Sequence, residues 1–267
     1  MFLAHFDTMM LEFLVLETNR LRLETRARVK TITMTEIRKF IGVLFYMTVV
    51  DIPFRRMYWS AKTRQTVVAD AMTVNRFDEI FSLLHSCDNA LQKERGADGY
   101  DRLYKVRDLI TQLNENITQC AEMETCLSVD EQIIPFKGRH SLKIYMKNKP
   151  KKWGYKVWVL AGQSGYAHKL QFYGDNTVEP TGTDLTADGI GASGEVVLQL
   201  LEGVPPKCYC FFDNYFASPA LLAELKKKEI YATCTMRKNR TNGCPLLSEK
   251  ELKKKGRGTW GSWNSTL

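Results

Sequence analysis

Histidine is scarce in the 267 residues, with four copies, and the seven cysteines include no Cys-x-x-Cys pair. A structural zinc site needs four Cys/His ligands at short spacings, so no zinc is expected in this chain. An odd cysteine count without repeated spacing also argues against a fully paired disulfide framework. Cys208 and Cys210, alternating with Tyr209, read as small buried hydrophobes on one face of a strand. Long apolar runs are missing too. The longest, Phe40 to Val50, has eleven residues, about half of what a bilayer-spanning helix requires, so no membrane span is expected. The apolar N-terminus carries Asp7 and Glu12 and lacks a basic start, which argues against a signal peptide.

Acid is absent from one stretch. Residues 137–156 hold eight Lys/Arg and no Asp or Glu, which equals the net charge of +8. Residues 226–257 hold eleven Lys/Arg against three Glu. The remainder is therefore mildly acidic. Two basic stretches on an acidic body point to a polyanion-facing surface. Hydrophobic content of 44% and charged content of 25% are globular values, and the length suffices for a real core.

The first 125 residues read as mainly helical. Thr33-x-x-Glu36 predicts a capping box opening an apolar helix through about Val49, and Thr73 a cap for a helix bearing Phe77, Ile80, Phe81 and Leu84. A third helix is expected from about Asp101. After Glu124 the pattern turns to strands at Cys126–Phe136, Leu142–Met146, Tyr155–Ala161 and Ala167–Tyr173. A glycine-rich loop follows over 174–194, then helix Glu195–Leu201, strand Lys207–Phe212, helix Ser218–Lys228 and strand Ile230–Met236. Ser218 and Pro219 form the helix start. The order predicts a mixed α/β sheet with flanking helices. Residues 256–267 have no clear period.

Two aspartates sit where chemistry is plausible. Asp130 interrupts the first strand and Asp213 ends the later apolar strand. Carboxylates at adjacent strand ends can share Mg²⁺ with waters and phosphate oxygens, as phosphodiester chemistry requires. Capping a turn is the other reading of a strand-end aspartate.

Two long blocks carry a resemblance. SVDEQIIPFKGRHSLKIYMKNKPKKWGYKVWVL and FFDNYFASPALLAELKKKEIYATCTMRKNRTNGCPL are similar, in this order, to the transposase domain of the piggyBac superfamily. The likeness covers nearly the whole chain. It implies an RNase H-like mixed sheet with flanking helices, preceded by a mainly helical N-terminal region. The expected division is 1–124 helical, 125–240 an incomplete catalytic core, and 241–267 the start of an insertion or an aberrant tail. It also implies a three-aspartate mechanism using Mg²⁺ or Mn²⁺ on double-stranded DNA, nuclear location and a possible homo-oligomer. Asp130 and Asp213 match the first two aspartates. The third, on a last core helix, has no matching position before Leu267, and chain order excludes Asp175, Asp184 and Asp188. The chain is thus expected to be C-terminally truncated, to bind metal weakly and not to cleave DNA. Nor is the family's cysteine-rich C-terminal zinc module expected within these residues. Cys234 stands where the family has glycine.

DNA contact is expected from Lys137, Arg139, Lys143, Lys147, Lys149, Lys151, Lys152 and Lys156, interleaved with Tyr145, Trp153 and Tyr155, and from Arg237, Lys238 and Arg240 beyond the last strand. Two other readings stay open. One is an active transposase or nuclease with a substitute third ligand, for which Glu131 points the wrong way on a regular strand. The other is a domesticated protein-interaction module without DNA chemistry.

Overall fold

A computed structural model of the chain describes residues 2–147, 149–174, 189–241 and 243–263. Asp175, Asp184, Asp188 and most of the glycine-rich loop lie outside the described residues. The chain divides into two compact units, Met1–Cys120 and Ala121–Leu267.

The first unit is helical: α1 (Phe2–His5), α2 (Thr8–Thr25), α3 (Met34–Val49), α4 (Thr66–Ala69), α5 (Val74–Leu83) and α6 (Arg107–Cys120). The free N–H groups of each first turn need acceptors. Asp7 supplies one to Met10, Thr33 and Glu36 form the predicted reciprocal box, and Thr73 accepts from Arg76. Helical spacing then turns Ile37, Phe40, Phe77 and Ile80 inward with Leu11 and Leu14, and the Phe40 and Phe77 rings meet at 4.8 Å. Each such fully buried side chain contributes about 1.5–3 kcal/mol. The third helix begins at Arg107 rather than Asp101. Asp101 instead accepts from Leu103 N–H and holds the Arg107 guanidinium at 2.8 and 2.9 Å, so it shapes the turn before the helix.

The second unit contains β1 (Cys126–Pro135), β2 (Ile144–Tyr145), β3 (Trp153–Gly162), β4 (Ala167–Phe172), α7 (Ala192–Leu200), β5 (Tyr209–Phe212), α8 (Pro219–Lys227), β6 (Tyr231–Cys234) and α9 (Glu249–Lys255). The sheet runs β2-β3-β1-β5-β6, with β4 also paired to β3. β1 is antiparallel to β3 and parallel to β5, and β5 is parallel to β6. Parallel neighbours need a crossover, which α8 provides between β5 and β6. Ser218 caps α8 with Pro219 in its first turn, as the sequence predicts. At the other end Glu229 takes φ 56°, Glu229 N donates to Lys226 O and Ile230 N to Leu225 O. This pairing closes the helix as a Schellman motif, with Leu225 and Ile230 both buried.

Alternation along the strands sorts the two faces. Leu127, Val129, Trp158, Leu160, Cys210 and Phe212 enter one core with α7 and α8. Tyr209, Phe211 and Tyr231 lie on the other face and stay 44–54% exposed. Cys234 pairs with Phe212 and packs against the same core, so its thiol lies on the opposite face from Asp130.

Candidate metal and nucleic-acid site

Asp130 and Asp213 are brought together by strand register. Val129 pairs with Phe212 across the parallel β1–β5 ladder, and the two aspartates are the next residue on each strand. Adjacent strands lie about 4.8 Å apart, and equivalent positions share a face. Because Val129 and Phe212 face the core, both aspartates face outward, and both are exposed. Asp130 Oδ1 accepts from Glu131 N at 2.7 Å and Asp213 Oδ1 from Tyr215 N at 2.8 Å. Among the described residues no donor reaches the second oxygen of either carboxylate. This hard-oxygen pair fits Mg²⁺ or Mn²⁺ completed by waters and phosphate, and does not fit the Cys/His preference of zinc. Among the described residues no group of three His, Cys, Asp or Glu is placed to hold a metal.

Glu131 turns to the other face and binds Lys149 Nζ at 3.0 Å, a contact that raises the lysine's pKa. Lys156 is also on that inner side, 6% exposed, with its ammonium 5.1 Å from the Trp158 ring centre and 4.4 Å from that of Tyr215. Burial pulls its pKa below the ordinary lysine value. A buried ammonium is costly unless compensated, and the two ring faces supply part of that compensation.

The other cations of the segment divide cleanly. Lys143 lies over the Trp153 ring at 4.9 Å and donates to Gly138 O at 2.8 Å. Lys137, Arg139, Lys147, Lys151 and Lys152 are exposed, with no carboxylate partner among the described residues. Tyr145 and Trp153, half exposed, meet at 4.8 Å on the β2–β3 pair among them. Beyond β6, Arg237 donates to Asn214 Oδ1 at 3.0 Å, and Arg240 Nη1 donates to the carbonyls of Asn214, Tyr215 and Ala217 at 2.9, 3.1 and 3.3 Å. Lys238 is exposed. The carbonyl cluster under Arg240 is a tertiary feature that charge spacing does not reveal. No helix among the described residues is long and apolar enough to cross a membrane.

Comparison with known proteins gives one answer at three levels. A family profile described as Transposase IS4 matches residues 1–263. The human PiggyBac transposable element-derived protein 3 is 39% identical over 236 residues, which is 86% of this chain and 38% of that protein. The human PiggyBac transposable element-derived protein 2 is 33% identical over 266 residues, 97% of this chain and 43% of that protein. The chain thus spans about two fifths of the length of these curated relatives. A cryo-EM structure of the piggyBac transposase synaptic complex with hairpin DNA superposes with a TM-score of 0.77 at 21% identity, over 90% of this chain and 51% of that one. The mixed sheet with flanking helices and the helical N-terminal region are therefore those of a piggyBac transposase. With its two motif blocks, its fold and its profile match in agreement, the chain belongs to the piggyBac family of transposases and transposase-derived proteins.

Proposed function

We propose that this chain is a DNA-binding portion of a piggyBac-type, nuclear protein, in which Asp130 and Asp213 are two ligands of a divalent-metal site for phosphodiester chemistry. The observation that supports this reading is the Val129–Phe212 register, with an exposed aspartate following on each strand. When bound, Mg²⁺ or Mn²⁺ supplies a polarised phosphoryl oxygen and an activated water. The chain's own part is to hold the ion with the open oxygens of Asp130 and Asp213 and to bind phosphates with the exposed cations of residues 137–152. Two carboxylates leave the ion under-coordinated, so these 267 residues alone bind it weakly and do not cut DNA. Glu131 supports this, because its ion pair with Lys149 occupies it on the opposite face.

The test is incubation of the purified chain with duplex DNA carrying transposon-end sequence, with Mg²⁺ or Mn²⁺. Binding without cleavage is expected. Cleavage abolished by Asp130→Asn and Asp213→Asn would establish the active-nuclease reading instead. Absence of any salt-sensitive DNA binding would favour the protein-interaction reading, for which the exposed Tyr209, Phe211 and Tyr231 face is the supporting observation.

A further inference from the structure

The turn that follows Asp213 is held by more charge than a five-residue connection between a strand and a capped helix requires. Asp213 Oδ1 takes the N–H of Tyr215. The carbonyl of that same Tyr215 is gripped from two sides, by Ser193 Oγ at 3.0 Å and by Arg240 Nη1 at 3.1 Å. Arg240 also takes the carbonyls of Asn214 and Ala217, and Arg237 takes the Asn214 side chain. The Tyr215 ring rests over the Lys156 ammonium. Of the four residues from Asn214 to Ala217, three have a carbonyl bound by the one guanidinium group. Hydrogen bonds from a charged donor are the strong ones. All three bonds come from Nη1, which anchors the guanidinium to this turn.

We propose that Arg240 is a positioning residue: by clamping the carbonyls of Asn214, Tyr215 and Ala217 it fixes the Tyr215 N–H, and through it the Asp213 carboxylate, in the orientation that faces Asp130. The proposal rests on the reading of Asp213 as a metal ligand. Partners that orient a metal ligand are typically worth about 10–100-fold in metal affinity. Arg240 then acts through Asp213 and not through DNA phosphate, although the charge pattern of the sequence alone groups it with the phosphate contacts.

The experiment compares the 267-residue chain with Arg240→Met and Arg240→Lys, using three readouts. These are hydrogen exchange of the Tyr215 amide with Cys210 in β5 as internal reference, Mn²⁺ affinity by electron paramagnetic resonance, and the salt dependence of duplex DNA binding. In Arg240→Met, Tyr215 exchange should quicken at least about tenfold while Cys210 is unchanged, and Mn²⁺ affinity should fall about tenfold. The slope of log K against log salt should stay as in the unsubstituted chain. Arg240→Lys keeps the charge on a shorter, unforked group and should fall between the two in exchange and affinity; it also serves if the methionine variant does not fold. Unchanged Tyr215 exchange overturns the proposal, as does a salt slope reduced by about 0.9, the mark of one lost phosphate contact. Failure of the unsubstituted chain to bind Mn²⁺ refutes the metal reading of Asp213, and with it the link from clamp to metal.

Discussion

A Cβ built on Gly154 would lie 2.1 Å from the Ile134 carbonyl oxygen and 2.8 Å from Cγ2 of Ile133. Backbone cannot yield there without parting β3 from β1, so the Trp-Gly-Tyr-Lys stretch needs glycine for a close strand approach. Gly154→Ala is therefore expected to cost about 1–3 kcal/mol, read as a lower urea midpoint. A midpoint equal to that of the unsubstituted chain would show that the strands separate freely. Two residues along, Lys156 shows what single-residue reasoning misses. Alternation puts it on the side of Trp158 and Leu160, and that side is identified as the core only once β1 and β5 are in register. A run of eight cations in sequence thus contains one buried ammonium and one, Lys149, paired with Glu131 of β1. Sequence shows a charge inside one strand, Asp130, and another at the end of a second, Asp213; their shared face depends on a ladder of residues more than eighty positions apart.

Helix starts were legible where the cap is local: Thr33, Thr73 and Ser218 act as read. The start expected near Asp101 falls at Arg107, because Asp101 is held in the preceding turn by the Leu103 N–H and the Arg107 guanidinium. The Thr33–Glu36 box has a second task that sequence does not show. Glu36 also accepts from Arg76 of α5 at 2.8 and 3.1 Å, and Arg76 reaches the carbonyls of Lys30 and Thr31. The Arg76 guanidinium, foremost, with the Thr33 donors lowers the Glu36 pKa from 4.5 to about 2. With side chains 28% and 16% exposed, the pair is partly shielded from solvent. A carboxylate with a depressed folded pKa contributes stability that is complete above its unfolded value and lost as pH falls through the folded one. The contribution of Glu36 should therefore be full above about pH 5 and fade towards pH 2. Glu36→Gln should destabilise the helical unit by about 1–3 kcal/mol at pH 7. Denaturant midpoints of the two proteins should converge as pH approaches 2. A constant gap between them across that range would mean that the ionised pair is not what links α3 to α5.

At the scale of the whole molecule, the net charge of +8 conceals a division of labour. Lys143, Lys149 and Lys156 are engaged by carbonyl, carboxylate and aromatic groups, which leaves Lys137, Arg139, Lys147, Lys151 and Lys152 exposed. If each exposed cation displaces one counterion from duplex DNA, five contacts give a slope of log K against log salt of about −4.5. Replacing Lys147, Lys151 and Lys152 together with glutamine should flatten it to about −2, uniformly across DNA sequences, because phosphate contacts carry no base information. Lys156→Met removes the same unit of charge from the interior. It should leave the slope unchanged and alter only stability, since its ammonium faces Trp158 and Tyr215 and not solvent. Equal slopes for the triple variant and the unsubstituted chain would place the DNA path away from this segment. A slope lowered by Lys156→Met would mean that β3 rearranges on DNA and brings that ammonium out.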